Sequence, residues 1–392
     1  MCIVQIGAYP ISKDHIDGGV EASVYGLSQA QSLGCEVHVF DCPRMDAQQK
    51  VENDNGVIVH RFVNQGRRQM SSAWKAKQIA EEIIVLKPDI CHIHGTNLFS
   101  WLMYRALVKN RIPVVVTVHG LAWVEKTNAL KKHFSLKRLF QCVYQGWVER
   151  RFLSQIPVAI VDTEYVKERI EHYPIRKTPM IRVIPQGVDE SYFGLNCSKD
   201  SQMILSIGAI GPRKGHLFTL KAFETMKQKA AEAKLVIAGT VANYPYLEQL
   251  RKLVEHSECG CDISICTDLS NEEIRELYKE AHLFVLHSEE ESQGIVFAEA
   301  MATGLPIVAT NVGGVPYVVA HKKNGLLSEY GDIKAFADAM GCLMMDENKW
   351  ITMSEISRKK AQYYHWLNIS DSVLHIYQSI IGNRNKSVFN LC

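Results

Sequence analysis

The sequence lacks several features that would each place it in a particular class of protein. None of its apolar runs approaches the ~18 consecutive apolar residues that a membrane-spanning helix needs. Its first segment, MCIVQIGAYP, has no cationic stretch before the apolar part, which predicts a first strand rather than a signal peptide, and a cytoplasmic protein. A formal net charge of only +2 provides no basic field for nucleic acid, so we expect no nucleic-acid partner.

Patterns for metal binding are incomplete. Cys259 and Cys261 flank one glycine with His256 close by, but the second pair of ligands that a structural zinc site needs is missing. His92 and His94 lie in an apolar run, where a buried strand is the simpler interpretation. Most of the 11 cysteines also lie in apolar runs, as buried free thiols do in a reducing compartment. We predict no metal site and no cofactor.

Short apolar runs alternate with helix-period segments through most of the chain. This alternation is typical of βαβ units, in which helices cover both faces of a parallel sheet. With 392 residues, two or three domains are expected. The predicted strands are Ile3–Ala8, Glu36–Asp41, Val57–Phe62, Asp89–His94, Val114–His119, Val158–Asp162, Met203–Gly208, Lys234–Gly239, Asp262–Cys266, Leu283–His287 and Pro306–Thr310.

The alternation restarts near Ser201, after a polar, turn-rich segment from Ile184 to Asp200. We therefore predict an α/β protein with two doubly wound, Rossmann-like domains that face a central cleft, where such sheets bind ligands. The predicted boundaries are 1–190 for the first domain and 200–365 for the second. Residues 366–392 are predicted to form a helix that packs back toward the first domain.

The stretch from Leu283 to Val312 carries two carboxylates near a predicted helix start. A strand is followed by a loop with Glu291, and a helix opens near Gly294, where free N–H groups favour an anion. Glu299 lies in the second turn among apolar neighbours, so we predict that it accepts hydrogen bonds from ribose hydroxyls. A glycosidase acid pair and a solvated helix residue are the alternatives.

Three other segments could contact a phosphorylated ligand. Ser206–Gly215 is a strand and a glycine-rich loop ending in Arg213 and Lys214, which favours a diphosphate site, although a plain turn is the alternative. Gly19, at the start of the first helix, could approach a phosphate or simply form a turn. His119 ends a buried strand, where it faces a cleft or plays a structural role.

As a set, these residues resemble the retaining glycosyltransferases of family 4, which have the GT-B fold. The resemblance spans residues 1 to about 370. Its most specific segment holds two glutamates eight residues apart, followed by a Gly-Gly-x-Pro loop. The matching segments are GGVEASVYGLSQAQSLGCEVHVF, DICHIHG, VVVTVHG, VIPQGVDESYF, SIGAIGPRKG and ESQGIVFAEAMATGLPIVATNVGGVPYVV.

The resemblance implies transfer of a hexose-type sugar from a nucleotide-diphosphate-sugar donor to a glycan or lipid-linked acceptor. It also implies retention of anomeric configuration and no catalytic metal, and the sequence has no Asp-x-Asp motif. In the donor site, the resemblance implies that Glu299 binds the ribose, Glu291 contacts the sugar and Lys214 binds the diphosphate. It implies backbone contacts to the phosphates and the sugar for Gly294 and Ile295. It also implies that His119 lies near the reacting bond and that Gly19 approaches the phosphate.

The sequence departs from the family pattern at three places. Ala209 stands where an arginine is common, and Arg213 is the expected substitute. Gln186 replaces a usual asparagine, and Gln293 replaces a common phenylalanine beside Gly294. Two other functions are compatible with the fold: a sugar-nucleotide epimerase or hydrolase, and a non-catalytic partner subunit. Retention of Glu299 and of both cations argues against the partner subunit.

Positive charge concentrates between residues 126 and 151, where apolar residues recur mostly every three or four positions. Such a helix could lie on the inner face of an anionic membrane, which would make the protein peripheral there. The alternative is that its apolar stripe packs on the core of the first domain. The residues are Lys126, Lys131, Lys132, Lys137, Arg138, Arg150 and Arg151, with Leu130, Phe134, Leu139, Phe140, Val143 and Trp147 between them.

Overall fold

A computed structural model describes residues 1–12, 14, 16, 18–41, 50–62, 70–132 and 134–389. The strands are β1 (Cys2–Gly7), β2 (Glu36–Asp41), β3 (Lys50–Asp54), β4 (Val57–Arg61), β5 (Ile90–His94), β6 (Val114–Val118), β7 (Val158–Val161), β8 (Met180–Val183), β9 (Met203–Ile207), β10 (Lys234–Ala238), β11 (Ile263–Cys266), β12 (Leu283–Leu286), β13 (Ile307–Thr310) and β14 (Gly325–Ser328). The helices are α1 (Gly19–Ser32), α2 (Met70–Leu86), α3 (Leu98–Lys109), α4 (Ala122–Lys132), α5 (Leu136–Leu153), α6 (Glu164–Glu171), α7 (Glu190–Phe193), α8 (His216–Lys227), α9 (Tyr244–His256), α10 (Asn271–Glu280), α11 (Ile295–Thr303), α12 (Val315–Val318), α13 (Ile333–Met345), α14 (Glu347–Ala361) and α15 (Trp366–Phe389).

The chain divides into two compact units. Unit 1 comprises Met1–Ile11, Val20–Pro185 and Leu367–Cys392, and unit 2 comprises Ser12–Gly19 and Gln186–Trp366. The main division thus falls at Pro185, close to residue 190, where the sequence pattern places the end of the first domain. The helix predicted over residues 366–392 is observed as α15, whose residues belong to unit 1 from Leu367 onward.

Unit 1 is built on a sheet whose described strands run in the order β3-β4-β2-β1-β5-β6-β7-β8. All neighbours are parallel except β3, which pairs antiparallel with β4. The strands are runs of β-branched residues such as VVVTV in β6, which suit a sheet covered on both faces. On one face, α2, α3 and α5 pack their apolar side chains on the sheet to form the core.

Unit 2 contains a parallel sheet in the order β11-β10-β9-β12-β13-β14. Counted one to six along the chain, its strands follow the order 3-2-1-4-5-6 of dinucleotide-binding α/β folds. Apolar clusters cover its two faces, and one includes most of α11. The order changes direction between β9 and β12, and ligands of such sheets bind outside the carboxyl ends of the strands at that point.

A buried polar network crosses the interior of unit 1. Gln5 of β1 donates from Nε2 to Oε1 of Gln31 at 2.7 Å and to the hydroxyl of Tyr377, on α15, at 3.2 Å. The same hydroxyl lies 2.6 Å from Nδ1 of His92, whose Nε2 lies 2.6 Å from Oγ1 of Thr117. Burial lowers the pKa of His92 to about 3, so this ring is neutral. The network therefore links α15 with four other elements of unit 1: β1, α1, β5 and β6.

The basic segment from residue 126 to 151 forms two helices rather than one, which corrects the prediction of a single helix. The break occurs because the Ser135 hydroxyl accepts a hydrogen bond from the Arg138 N–H and starts α5. The predicted apolar stripe is largely exposed, and a different face of α5 packs on the core through Val148, Phe152 and Leu153. The exposed stripe residues are Phe134, Leu139, Phe140, Val143 and Trp147, and Leu136 is exposed beside them. The side chains of Lys131 and Lys132 lie outside the described part of the structure.

None of the helices within the described ranges is long and apolar enough to cross a membrane.

Candidate active site

Two loops of unit 2 leave the carboxyl ends of β9 and β12, the neighbouring strands at which the sheet order changes direction. The first loop ends in a short 3-10 turn, Pro212–Lys214, which contains both predicted cations. The second loop contains Glu291 and leads to Gly294, the N-cap of α11. The sheet topology therefore brings the two segments to the place where such folds bind their ligands.

Lys214 and Glu291 form a largely buried ion pair between these loops. Nζ of Lys214 donates to Oε1 of Glu291 at 2.5 Å, and the Ser288 hydroxyl donates to the same oxygen at 2.8 Å. The side chains are only 12% and 5% exposed. Burial alone would raise the pKa of Glu291, but the charges of Lys214 and Arg213 and these hydrogen bonds outweigh it and lower the pKa. Glu291 is therefore an ionised carboxylate with fixed geometry.

Glycines allow the backbone around this pair to approach closely. Gly215 has φ +65°, and a Cβ there would lie 1.9 Å from the carbonyl oxygen of His287. Gly313 has φ +53°, and its Cβ would lie 2.2 Å from the carbonyl oxygen of Glu291, which accepts a hydrogen bond from the Gly314 N–H at 2.8 Å. A side chain at either position would push apart the segments that hold the ion pair.

The start of α11 lies directly after Glu291 in the chain. Gly294 has φ +75°, and its carbonyl accepts the first helical bond from the Phe297 N–H at 3.0 Å. A Cβ on Gly294 would lie 2.7 Å from the Phe297 ring, so this corner also requires glycine. Ile295 begins the helix and is only partly buried. The backbone N–H groups of the first turn of α11 are therefore suited to binding an anion beside the ion pair.

Glu299 lies one turn further along α11 and is partly buried. Its Oε2 accepts a hydrogen bond from the buried Tyr278 hydroxyl at 2.8 Å, and the Tyr278 ring packs edge-on against Tyr192. Burial raises the pKa of Glu299 to about 7, with a smaller contribution from Asp189, although the Tyr278 hydrogen bond acts in the opposite direction. When Glu299 is ionised, its remaining lone pairs can accept hydrogen bonds from hydroxyl groups.

His119 belongs to unit 1, where it follows β6. Its Nε2 lies 3.0 Å from Nδ1 of His94, and its Nδ1 lies 3.6 Å from Oδ2 of Asp162. His94 in turn lies 2.9 Å from Oε1 of Gln5, which connects His119 to the buried network. Burial and the neighbouring histidines hold the pKa of His94 well below its usual value. Both ring nitrogens of His119 therefore face protein partners within unit 1.

The structure brings together most of the predicted ligand residues of unit 2. Arg213, Lys214, Glu291, Gly294 and Ile295 lie on the two facing loops and at the start of α11, and Glu299 lies on the same helix. Gly19 begins α1, where its Cβ would lie 3.5 Å from the Gln186 side chain. Arg213 is exposed, and its backbone carbonyl accepts a hydrogen bond from the Glu289 N–H at 2.8 Å.

Two family models match the chain: Glycosyl transferases group 1 over residues 188–360, and Glycosyltransferase Family 4 over residues 17–192. Together they match most of the chain, and the first contains every residue of the two facing loops. The chain belongs to the family 4 glycosyltransferases.

Relatives and solved structures agree with this assignment. This glycosyltransferase is 28% identical over 320 residues to a D-inositol 3-phosphate glycosyltransferase of Corynebacterium jeikeium, covering 76% of this chain and 74% of that protein. It is 27% identical over 197 residues to the GDP-mannose-dependent alpha-(1-6)-phosphatidylinositol monomannoside mannosyltransferase of Mycobacterium tuberculosis, covering 46% and 50% respectively. The sucrose-phosphate synthase of Thermosynechococcus elongatus superimposes with a TM-score of 0.79 at 19% identity, covering 97% of this chain and 99% of that one.

The fold is therefore GT-B, and the protein transfers a sugar from a nucleotide-sugar donor.

Two residues at which this glycosyltransferase departs from the family pattern, Gln186 and Gln293, are hydrogen-bonded to each other. Oε1 of Gln293 accepts from the Gln186 backbone N–H at 2.7 Å, and Nε2 of Gln293 donates to the Gln186 carbonyl at 3.1 Å. A phenylalanine at 293 could make neither bond, so the amide fixes the segment that opens unit 2 against the loop beside Gly294. The sequence identified both residues but not their contact.

The raised pKa of Glu299 predicts a pH dependence for donor binding. If the ionised carboxylate accepts the ribose hydroxyls, the donor's Kd should fall about tenfold between pH 6 and pH 8, because the ionised fraction of a group with a pKa of about 7 rises from ~10% to ~90%. Glu299→Gln should abolish this dependence in calorimetry. A nucleotide-diphosphate sugar is the right probe, since it has no terminal phosphate monoester to titrate near pH 6.

The exposed carboxylate Glu276 provides the matched control, and Glu276→Gln should keep the wild-type profile of donor affinity against pH.

The pH dependence of protein stability gives a second readout. Because folding raises the pKa of Glu299, its contribution to stability is largest below the unfolded value and is lost as pH rises through about 7. The melting temperature of Glu299→Gln should therefore rise relative to that of the wild type between pH 5 and pH 8. A flat binding profile for the wild type would contradict the ribose assignment.

Proposed function

We propose that this chain is a metal-independent, retaining glycosyltransferase that moves a hexose-type sugar from a nucleotide-diphosphate donor to a glycan or lipid-linked acceptor. The observation that carries the proposal is the buried pair of Lys214 and Glu291 at the topological switch point of unit 2, next to the start of α11. It combines a cation for phosphate with a carboxylate for sugar hydroxyls, the two chemistries that a sugar nucleotide presents side by side.

Neighbouring groups of unit 2 would each contact a different part of the donor. Glu299 accepts hydrogen bonds from the ribose, and Lys214 and the exposed Arg213 hold the diphosphate together with the amides near Gly294 and Ile295. Glu291 contacts the transferred sugar. Its low pKa supports this role, because an ionised carboxylate is the better acceptor for sugar hydroxyls. Arg213 would supply the charge that the family usually places at the position of Ala209. Gly19 would approach the phosphates, as the resemblance implies.

In the proposed reaction, the bond between the sugar's anomeric carbon and the diphosphate oxygen breaks. The acceptor hydroxyl attacks the same face, so that the new glycosidic bond keeps the anomeric configuration. Its proton passes to the departing phosphate oxygen, and the products are the glycoside and the nucleoside diphosphate. Negative charge grows on the leaving group, and the cations and helix-start amides stabilise it by preorganised electrostatics, the contribution that a metal ion makes in other transferases.

We expect His119 to lie near the reacting bond rather than to take the acceptor proton. Its two ring nitrogens face His94 and Asp162 within unit 1, at 3.0 and 3.6 Å. A general base needs a free nitrogen within hydrogen-bond reach of the proton that it removes. The departing phosphate is therefore the more suitable proton acceptor.

The direct test is a donor-depletion screen over sugar nucleotides, with and without glycan and lipid-linked acceptors. A transferase consumes one donor strongly only when its acceptor is present. Consumption without any acceptor would instead indicate the epimerase or hydrolase, and failure to bind any sugar nucleotide would indicate a non-catalytic subunit.

Neutralising the two cations should impair chemistry as well as binding. In Arg213→Gln/Lys214→Gln, we expect kcat and kcat/KM to fall together by roughly 100-fold or more, since the lost charges act most strongly on the leaving group. Nucleoside monophosphate should bind almost as well as to the wild type. Both proteins should be unaffected by a strong chelator. The exposed pair changed in Lys322→Gln/Lys323→Gln is the matched control and should retain full activity.

Equal losses of affinity for monophosphate and diphosphate would show that the two cations do not contact the β-phosphate. Complete loss of wild-type activity with EDTA, restored by Mg²⁺ or Mn²⁺, would contradict metal independence.

We further propose that α5 docks on an anionic membrane and brings the enzyme to a lipid-linked acceptor. Leu136, Phe140, Val143 and Trp147 recur at helical spacing and are 77%, 71%, 63% and 49% exposed. Exposed basic residues accompany them on the same helix: Lys137, Arg138, Arg150 and Arg151. An exposed apolar stripe with adjacent cations suits the boundary of an anionic bilayer. The relative from M. tuberculosis is named as a phosphatidylinositol monomannoside mannosyltransferase, which supports a lipid acceptor.

The enzyme should pellet with anionic vesicles at low salt and be released near 0.5 M salt, where the Debye length falls to ~4–5 Å. Phe140→Ser/Val143→Ser should abolish pelleting without changing donor affinity. The control is Val85→Ser, which removes an apolar side chain of 80% exposure from α2 and should still pellet. An enzyme that never pellets, at any ionic strength, would leave a soluble acceptor as the better proposal.

A further inference from the structure

Three side chains of metal-binding chemistry meet in unit 1, at the amino ends of β1 and β2. Cys2 and Glu36 are partners in the strand register, and His38 lies two residues beyond Glu36, on the same face of the sheet. The Cys2 sulfur, a Glu36 carboxylate oxygen and a His38 ring nitrogen all lie within 4.8 Å of one another. Neither the donor loops nor the acceptor surface proposed above includes these residues.

We propose that Cys2, Glu36 and His38 bind a single Zn²⁺ ion, with water in the fourth position. Thiolate, carboxylate and imidazole are the ligand types that zinc prefers, and three protein ligands with one open position are a common zinc arrangement. The charges balance as well: a thiolate and a carboxylate neutralise the dication when His38 is neutral. Binding at neutral pH would release the thiol proton to solvent.

The orientation of His38 supports this assignment. Its Nδ1 lies 3.0 Å from Nε2 of His60, and the His60 ring stacks on Phe40 with centroids 4.2 Å apart. A metal-binding histidine is usually oriented by a hydrogen bond on the ring nitrogen that does not bind the metal. The other nitrogen, Nε2, faces Oε1 of Glu36 at 3.1 Å. A tetrahedral zinc at ~2.0–2.1 Å from both atoms would separate them by about 3.3 Å, so small side-chain adjustments would be enough.

The positions of the ligands are set by interior strands of the sheet rather than by loops. β1 pairs with β2 and β5, β2 pairs with β1 and β4, and the Cys2 N–H donates to Oδ2 of Asp89 at 2.7 Å. His38 is buried, Cys2 is half-buried and Glu36 is exposed, which leaves an entry path from solvent. The contact of His38 with Glu36 alone would be an ordinary hydrogen bond, and the register of β1 and β2 adds the Cys2 thiol beside it.

The location indicates a structural role. The ligands lie where their strands begin, whereas His119 follows the carboxyl end of β6 in the same sheet. Zinc would tie β1 to β2 and stabilise unit 1 through its preference for the folded state, RT ln(1 + [Zn]/Kd). This inference does not depend on the proposed transferase reaction.

Cobalt provides the first test, since Co²⁺ occupies zinc sites and a thiolate ligand gives an intense charge-transfer absorption. The full chain, stripped with EDTA and dialysed, should bind one equivalent of Co²⁺ with this band, and Zn²⁺ should displace it. Cys2→Ser should lose the band. Cys35→Ser, which alters another partly buried thiol of unit 1, is the matched control and should retain it.

Stability provides the second test. At about 100 times the Kd, Zn²⁺ should raise the melting temperature of unit 1 by roughly 5 °C or more, and Cys2→Ser should abolish the shift while remaining folded without metal. His60→Gln should weaken zinc binding about 10- to 100-fold, because the residue that orients the His38 ring is lost. A structural role for Cys2 alone would lower the metal-free melting temperature but would not create a zinc-dependent difference between the variants.

Absence of the charge-transfer band at one equivalent, or the same band in Cys2→Ser, would overturn the proposal. So would a zinc-dependent shift that Cys35→Ser loses and Cys2→Ser keeps. Transferase activity of the chelated protein, assayed below its melting temperature, should equal that of the zinc-loaded protein. Loss of activity on chelation would instead count against the proposed metal-independent reaction, so the two proposals can fail separately.

Discussion

At Gly215 there is room for a hydrogen atom and nothing larger. Its Cα lies so close to the carbonyl oxygen of His287 that any side chain would collide with the neighbouring loop, and this approach sets the distance between the two loops of the donor site. Lys214 precedes that glycine, and its partner Glu291 follows His287 by four residues. The ion pair, the low pKa of Glu291 and the position of the α11 start all depend on this contact. A chain without glycine there would need a wider loop and would lose the pair.

Strands with strong apolar patterns could be predicted from sequence, and those with mixed patterns could not. All eleven predicted strands are present, and every end lies within one residue of its predicted position. The sequence missed β3 (KVEND), β8 (MIRV) and β14 (GLLS), each with few apolar residues or only four positions. β3 lies at a sheet edge and β8 at the opposite edge, where partial exposure weakens the hydrophobic signal. Similarly, the Ser135 cap divides a segment whose apolar spacing predicts one helix.

For the candidate site, the sequence was enough to predict which residue types occur at which positions, but not which of those residues contact each other. Glycine, cation and carboxylate positions follow from local pattern, because loop ends and helix starts have recognisable signals. The bond between Gln293 and the Gln186 backbone joins residues 107 positions apart, and no local pattern indicates it. The same holds for His92 and His94. In sequence they interrupt an apolar strand, whereas in the fold they belong to a hydrogen-bonded network with Gln5 and Tyr377, which offsets the cost of burying them.

The ion pair also bears on which anions unit 2 accepts. A ligand that offers only phosphate competes with Glu291 for the ammonium of Lys214, and weakening a buried ion pair in this way carries a cost. A sugar nucleotide compensates both partners at once, with phosphate for the lysine and hydroxyl groups for the carboxylate. The pair itself is electrically neutral, with the exposed Arg213 beside it, and we infer that it discriminates against the free phosphate and sulfate that surround the protein in solution. Weak competition by these ions against the donor would be the measurable sign of that selectivity.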